Sequence, residues 1–427
     1  DAFWDNLRAG RDSITEIPSQ RWDWRRHFDA QKGKPDKVYA KWGGFLDGVD
    51  RFDPLFFGIT PHDAELLDPQ ERLALETAWQ TLEDAGRTRT ELWGRKVGVF
   101  FGVMWNDYQL FGPLESEQGH LLAPAASHAS IANRISYFFN WQGPSMAVDS
   151  MCSSSLTSIH LACASLRRGE SEVALAGGVN VSVHPQKYIQ LCQGRFAASD
   201  GRCRSFGEGG DGYVPGEGVG AVLLKPLERA LADGDQIHGL ILGSSINHGG
   251  KTNGYSVPNP QAQAALIAEA LARAGGSVEQ ISYLEAHGTG TALGDPIEIT
   301  ALGQAFGAPG SGAVQCAIGS VKSNIGHLES ASGIAGLTKV LLQMRHGELV
   351  PSLHSAALNP DIDFERSRFR VQREAAPWVP LAAIGGLAPA ARRAGLSSFG
   401  AGGSNAHIVV EQYPASAMAR APAGAQP

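Results

Sequence analysis

The sequence predicts an α/β fold built twice over, and three features carry that expectation. Short apolar strands alternate with longer segments of helical spacing along most of the chain. The order strand, polar loop, helix recurs in both halves, which points to a duplicated core with its break near Asn253, hence halves of about 1–253 and 254–413. At 427 residues the chain also exceeds the size at which one hydrophobic core stops growing.

Taken in order, residues 2–9 read as an amphipathic helix, and the abrupt opening at Asp1 predicts a natural start further upstream. Trp4, Trp22 and Trp24 are expected to pin an irregular aromatic segment to the body. Residues 68–85 form a helix with Asp68 as N-cap, Pro69 at its first position and Glu71 at the capping-box position, ended by Gly86. A strand at 97–102, a helix at 128–139 and a short strand at 146–148 follow. The remainder alternates: helix 156–166, strands 173–181, 218–224 and 237–246, helix 261–274 and strand 281–286. A helix at 295–306 has Asp295 as cap, Pro296 at its first position and Glu298 closing the box. A strand at 314–318, a helix at 330–345 and a last strand at 408–411 complete the domain, and the Pro/Ala-rich residues 414–427 read as a linker.

Composition narrows the function. With 43% hydrophobic residues, 19% charged residues and 52 glycines, the chain fits a packed protein rich in tight turns. Its 36 Lys and Arg against 43 Asp and Glu leave a net charge of -7, with no basic surface for nucleic acid. The longest apolar runs, 219–224 and 240–242, are far too short for a membrane span, which takes about 18 residues. Five cysteines, Cys152, Cys163, Cys192, Cys203 and Cys316, include no C-x-x-C pair; the odd count favours a reducing compartment, by default the cytoplasm.

Three places could carry chemistry. Cys152 lies between a short strand and a helix whose Leu156, Ile159, Cys163 and Leu166 share one face. At a helix N-terminus the dipole and the unpaired N–H groups favour thiolate, the species that attacks acyl groups. The other cysteines read as small buried residues. His287 follows a strand in EAHGTGTALGDPIE, and His327 follows another in KSNIGHLESASGIAG, with Lys322 and Asn324 in its loop. Ligands of open α/β sheets gather beyond the carboxyl ends of strands, where all three residues fall. The glycine-rich segment 397–405 could aim backbone N–H groups at a developing oxyanion. Gly207, Gly209 and Gly212 match a dinucleotide fingerprint only formally, since Glu208 and Asp211 would repel a pyrophosphate and a strand follows. Gly250, Lys251 and Thr252 resemble the end of a P-loop, but its required first glycine is Ser245. A zinc site from Cys152, His287 and His327 is a minor alternative on ligand type.

The motifs VDSMCSSSL, EAHGTGTALGDPIE, KSNIGHLESASGIAG and SSFGAGGSNAH, in that order and spacing, resemble those of β-ketoacyl synthases, specifically the ketosynthase domain of modular polyketide synthases. The resemblance spans nearly the whole chain. It implies a thiolase fold, two similar halves layered αβαβα, acting as a homodimer beside neighbouring synthase domains. It implies no bound cofactor and no metal, because the substrates ride on the phosphopantetheine of an acyl carrier protein.

Carried onto this sequence, the resemblance makes Cys152 the nucleophile that accepts the acyl chain. His287 and His327 would bind the malonyl thioester carbonyl and stabilise the enolate formed by decarboxylation. The N–H groups of Cys152 and Ala401 would form the oxyanion hole; the small Ala401 stands where discrete fatty-acid enzymes have a gating phenylalanine, with Phe399 nearby. Lys322, in concert with Glu329 and Asn324, would organise the His327 loop, and Thr289, Thr291 and Phe399 would contact the substrate or its phosphopantetheine arm. Met151, NHGGKTNGYSVPNP and VMWNDYQLFG are similar to ketosynthases of assembly lines whose acyltransferase acts in trans. Non-elongating members often lose the HGTGT histidine, so His287 implies condensation. The rival readings are a non-elongating acyl-transferring ketosynthase, a branching synthase that works by conjugate addition, a papain-like hydrolase, a degradative thiolase, and a chain-length-factor-like partner without catalysis.

Overall fold

The computed structural model describes residues 2–307, 315–379 and 391–413. Among these, the core strands form two principal sheets. The first holds β1 (Val97–Gly102), β2 (Ser145–Val148), β3 (Val173–Asn180) and β4 (Gly218–Leu224) in the order β2-β1-β3-β4. β1 is parallel to β2 and β3, and β4 is antiparallel to β3. The second holds β5 (Leu240–His248), β6 (Tyr283–Glu285), β7 (Cys316–Gly319), β8 (Phe369–Val371), β9 (Arg393–Phe399) and β10 (Ser404–Glu411). Its order is β8-β7-β6-β9-β10-β5. The run β7-β6-β9-β10 repeats the parallel, parallel, antiparallel pattern of the first sheet, so the expected duplication is present.

Side-chain alternation along the strands builds the layers. Val97, Val99 and Phe101 of β1 pack on Leu75 and Ala78 of α1 (Pro69–Asp84) and on Ile131 and Ile135 of α2 (His128–Phe139). Phe100, on the opposite face, joins Leu156 and Ile159 of α3 (Ser154–Arg167). In the second sheet Leu284, Ile318 and Val409 meet Ile267 of α4 (Pro260–Ala274) and Leu302 of α5 (Gly294–Phe306). Tyr283, Ala317 and Ile408 look inward, toward α3 and toward Ile334, Leu337 and Val340 of α6 (Ser332–His346). The result is five layers, with α3 and α6 side by side between the sheets: the expected thiolase architecture.

A helix in that central position has no free face, and residues 154–159 of α3 are buried. Serines suit it because they are small, and two of them at its start find partners. The Ser154 hydroxyl donates to the Met151 carbonyl at 2.6 Å, and Ser155 Oγ accepts the Ile334 N–H of α6 at 3.1 Å. Glycine makes the approach possible: a Cβ on Gly102 would lie 2.6 Å from the Ser155 nitrogen, and one on Gly178 2.8 Å from the Ser330 oxygen.

Several boundaries differ from expectation. The chain leaves the first sheet at Leu224 and enters the second at Leu240, ahead of the break expected near Asn253, because β5 pairs along its length with β10. β9 is an unexpected strand whose Ala394, Gly395, Ser397 and Ser398 carry little β-propensity; pairing with β6 and β10 on both sides imposes it. The glycine turn accordingly shrinks to 400–403, and the last strand begins at Ser404. Asp68 caps α1 by accepting the Gln70 N–H at 2.8 Å, but Glu71 reaches Arg134 of α2 instead of closing a box. The start of the strand expected at 314–318, and the linker at 414–427, lie outside the described residues.

Candidate active site

Four loops, each at the carboxyl end of a parallel strand, meet above the ends of α3 and α6. The loop after β2 carries Cys152, that after β6 carries His287, that after β7 carries Lys322 and His327, and the end of β9 carries Phe399 and Ala401.

Cys152 stands two residues ahead of α3, not inside it. It follows Met151, whose φ of 56° is left-handed and whose N–H is held by the Asp149 carboxylate at 3.0 Å. Such a turn lifts the next side chain off the strand axis, and backbone strain of this kind clusters at functional sites. The Cys152 carbonyl accepts the Ser332 hydroxyl of α6 at 2.9 Å, tying the Cys152 loop to the second half. The expected thiolate is corrected here. Burial pushes the Cys152 thiol up to about 12, and the Glu329 carboxylate adds to the rise. Lys322 and the N–H groups of Ala401 and Cys152 pull the other way, but less. Desolvation of the anion outweighs these opposing interactions and favours the thiol.

Both histidines are neutral. Burial, reinforced by the Lys322 ammonium, pushes each well below the ordinary histidine range; His327 is fully buried, whereas His287 keeps a partly exposed edge. Their rings stand edge to face with centroids 5.3 Å apart. Nδ1 of His287 accepts the Phe399 N–H at 3.3 Å, and Nδ1 of His327 accepts the Glu329 N–H at 3.1 Å. With Nδ1 engaged as an acceptor, each neutral ring carries its proton on Nε2.

The supporting groups are only partly those expected. Lys322 is buried and senses Glu285 and Glu298; burial lowers its pKa against their pull. It does not pair with Glu329 as the sequence suggested: the Glu329 carboxylate takes Lys187 Nζ at 2.5 Å, the Trp105 indole N–H at 2.8 Å and the Tyr213 hydroxyl at 3.0 Å. Asn324 is engaged elsewhere: its side-chain amide donates to the Arg11 carbonyl at 3.4 Å and its backbone carbonyl accepts the Ser13 N–H at 2.8 Å, so it anchors the N-terminal arm. Thr291 accepts the Gly294 N–H at 3.0 Å and lies 3.3 Å from the Thr289 hydroxyl.

Asp295 and Glu298 do not cap their own helix. Glu298 accepts the N–H groups of His287 and Gly288 at 2.7 and 2.8 Å, and Asp295 those of Phe206 and Gly290 at 2.7 and 3.1 Å. The carboxylates clamp the His287 loop, and burial raises them to about 7 and about 6. Glu285 does the same for the other loop, accepting the Val321 N–H at 2.6 Å while pairing with Lys339 at 2.8 Å. The capping-box pattern at 295–298 was the visible trace of this clamp; Lys187, Trp105 and Tyr213 left no local signal. Among the described residues no group of three or more His, Cys, Asp or Glu side chains is arranged to hold a metal ion, so the zinc alternative gains no support. None of the described helices is long and apolar enough to cross a membrane.

Comparison with known proteins agrees with this geometry. The family model for the β-ketoacyl synthase N-terminal domain matches residues 1–230, and that for its C-terminal domain matches 238–356. Polyketide synthase ThaG of Burkholderia thailandensis is 61% identical over 414 residues, and polyketide synthase PksL of Bacillus subtilis 58% over 438. These alignments cover 97% and 100% of this chain but only 7% and 10% of those much longer proteins. Among solved structures, the oxazolomycin ketosynthase domain OzmH KS7 of Streptomyces albus superposes with a TM-score of 0.95 at 55% identity, covering 99% of this chain and 72% of that one. The ketosynthase from module 6 of the Bacillus subtilis bacillaene synthase gives 0.87 at 44% identity, covering 97% and 69%. Two family models, two long alignments and one shared architecture place the chain in the β-ketoacyl synthase family as a polyketide synthase ketosynthase, a carbon–carbon bond-forming enzyme of the acyltransferase type.

Proposed function

We propose that this domain elongates: it loads an acyl chain from an acyl carrier protein onto Cys152 and extends it by decarboxylative Claisen condensation with a malonyl-carrier. The observation that carries this reading is the pair of neutral imidazoles whose Nδ1 atoms are occupied by backbone N–H groups, leaving two Nε2–H donors for one carbonyl oxygen. In loading, the Cys152 sulfur attacks the thioester carbonyl, the N–H groups of Cys152 and Ala401 hold the oxyanion, and the phosphopantetheine thiol departs with the proton Cys152 gives up. Because the thiolate is the attacking species, the thiol has to pass its proton toward the departing sulfur as the new carbon–sulfur bond forms.

In extension, His287 and His327 donate to the malonyl thioester oxygen. The carbon–carboxylate bond breaks, carbon dioxide leaves and its bonding pair becomes the enolate. The enolate carbon attacks the acyl-Cys152 carbonyl, the carbon–sulfur bond breaks, and the sulfur takes one proton from solvent. Burial, reinforced by the Lys322 ammonium, supports the step by keeping both imidazoles neutral. Thr289 and Thr291 are assigned to the phosphopantetheine arm, and Phe399 to the wall beside His287, 5.6 Å between ring centroids.

A homodimer is supported by β2, an edge strand of the first sheet with Met146 exposed. Met151 and the runs around Trp105 and Tyr255 support an assembly line whose acyltransferase acts in trans. Replacing Cys152→Ala is expected to abolish acyl loading, whereas His287→Ala spares loading and blocks extension, both read by intact mass of enzyme and carrier. Loss of loading in His287→Ala would overturn this division of labour.

A further inference from the structure

We propose that Lys187 is a positioning residue for His327, acting from the other half of the molecule through the Glu329 backbone. The inference rests on the role given above to His327. Glu329 has a φ of 47°, a left-handed conformation that side chains other than glycine adopt rarely and that persists only where the surroundings over-determine it. Three side chains over-determine it: Lys187 at 2.5 Å, Trp105 at 2.8 Å and Tyr213 at 3.0 Å, all from the N-terminal half. In that conformation the Glu329 N–H points at Nδ1 of His327, 3.1 Å away.

A second path starts from the same ammonium. Lys187 Nζ donates to Asn180 Oδ1 at 3.0 Å, the Asn180 amide donates to the Gly216 carbonyl at 2.6 Å, and the Gly216 N–H donates to the His327 carbonyl at 2.8 Å. One buried cation therefore governs both the ring, by fixing its tautomer, and the backbone that carries it. Lys187 and Glu329 both have fully buried side chains. A buried ion pair is weak grounds for stability, because apolar replacements of similar volume often do as well. Orientation of a hydrogen-bond donor is what an apolar pair could not supply.

The test compares two half-reactions: acyl loading of Cys152, and decarboxylation of malonyl-carrier. Lys187→Met alone leaves Glu329 buried and unpaired and could fail to fold, so it is paired with the charge-neutral double variant Lys187→Met, Glu329→Gln, with folding checked by thermal melting. The folded double variant is expected to load at or above the parent rate, because the Glu329 charge that disfavours the Cys152 thiolate is gone, and to decarboxylate roughly a hundredfold slower in kcat, with KM for the malonyl-carrier little changed. Lys187→Arg is expected to restore most of the loss. Equal loss in both half-reactions, or undiminished decarboxylation in the folded double variant, overturns the proposal. His327→Ala runs alongside: full decarboxylation there overturns the role of His327 itself, whereas its loss with normal Lys187 variants overturns the Lys187 proposal alone.

Discussion

Cys152 stands ahead of a helix, and the protonation of its sulfur follows from two opposed effects. The Ala401 and Cys152 N–H groups and Lys322 favour the anion, but removal of the sulfur from water costs more and leaves the group at about 12. Alkylation of the free enzyme by iodoacetamide, followed on the Cys152 peptide by mass spectrometry, is therefore expected to accelerate by about tenfold per pH unit through at least pH 9. A plateau between pH 6 and 8 would mean a stabilised thiolate. Cys152, His287 and His327 were legible as single residues because each follows a strand and sits among small or polar neighbours. The protonation state of Cys152 was not, since it depends on desolvation by groups distant in sequence.

At the level of elements, the site depends on how closely α3 can approach the first sheet. Gly102 in β1 and Gly178 in β3 face the first turn of α3, where any side chain would meet backbone or Ser155. Gly102→Ala places a methyl 2.6 Å from the Ser155 nitrogen, a backbone atom that can yield only by moving the helix start. The expected cost is about 1–3 kcal/mol in denaturant unfolding, with slower acyl loading as Cys152 moves with the helix. Unchanged loading in a folded Gly102→Ala protein would show that the nucleophile loop does not track α3. Helices and alternating strands were readable from periodicity. β9 was hidden because a small-residue strand becomes a strand only when neighbours pair with it, and Asp295 and Glu298 looked like helix caps because the loop they clamp comes from upstream.

Over the whole molecule, buried titratable groups set a pH optimum for stability. His287 and His327 lie well below the usual 6.5, and His407 is pushed down to about 3, all by burial. Below pH 6.5 the unfolded chain binds protons that these folded groups refuse, so acid destabilises by up to about 1.4 kcal/mol per pH unit for each. Burial raises Glu298 to about 7 and Asp295 and Asp68 to about 6, which acts in the opposite sense. Their contribution is complete at low pH and is lost as pH climbs through 6 and 7. Chemical unfolding is expected to show a stability maximum at about pH 6–7, a shallow decline to about pH 8 and a steep fall only below about pH 4, where the carboxylates of the unfolded chain are already protonated and no longer offset the histidines. Stability that climbs steadily from pH 5 to pH 8 would contradict this balance.

By itself the sequence determined the alternation of elements, the doubling, the choice of Cys152, His287 and His327 as candidate site residues, and the family to which they point. These are local properties: periodicity, turn chemistry and short motifs. Only the tertiary structure decided that Glu329 pairs with Lys187, that Asn324 faces the N-terminal arm, that carboxylates of α5 hold the His287 loop and that Cys152 rests protonated. Each of those depends on which distant groups share a buried volume, and electrostatics in a desolvated interior is settled by neighbours in space.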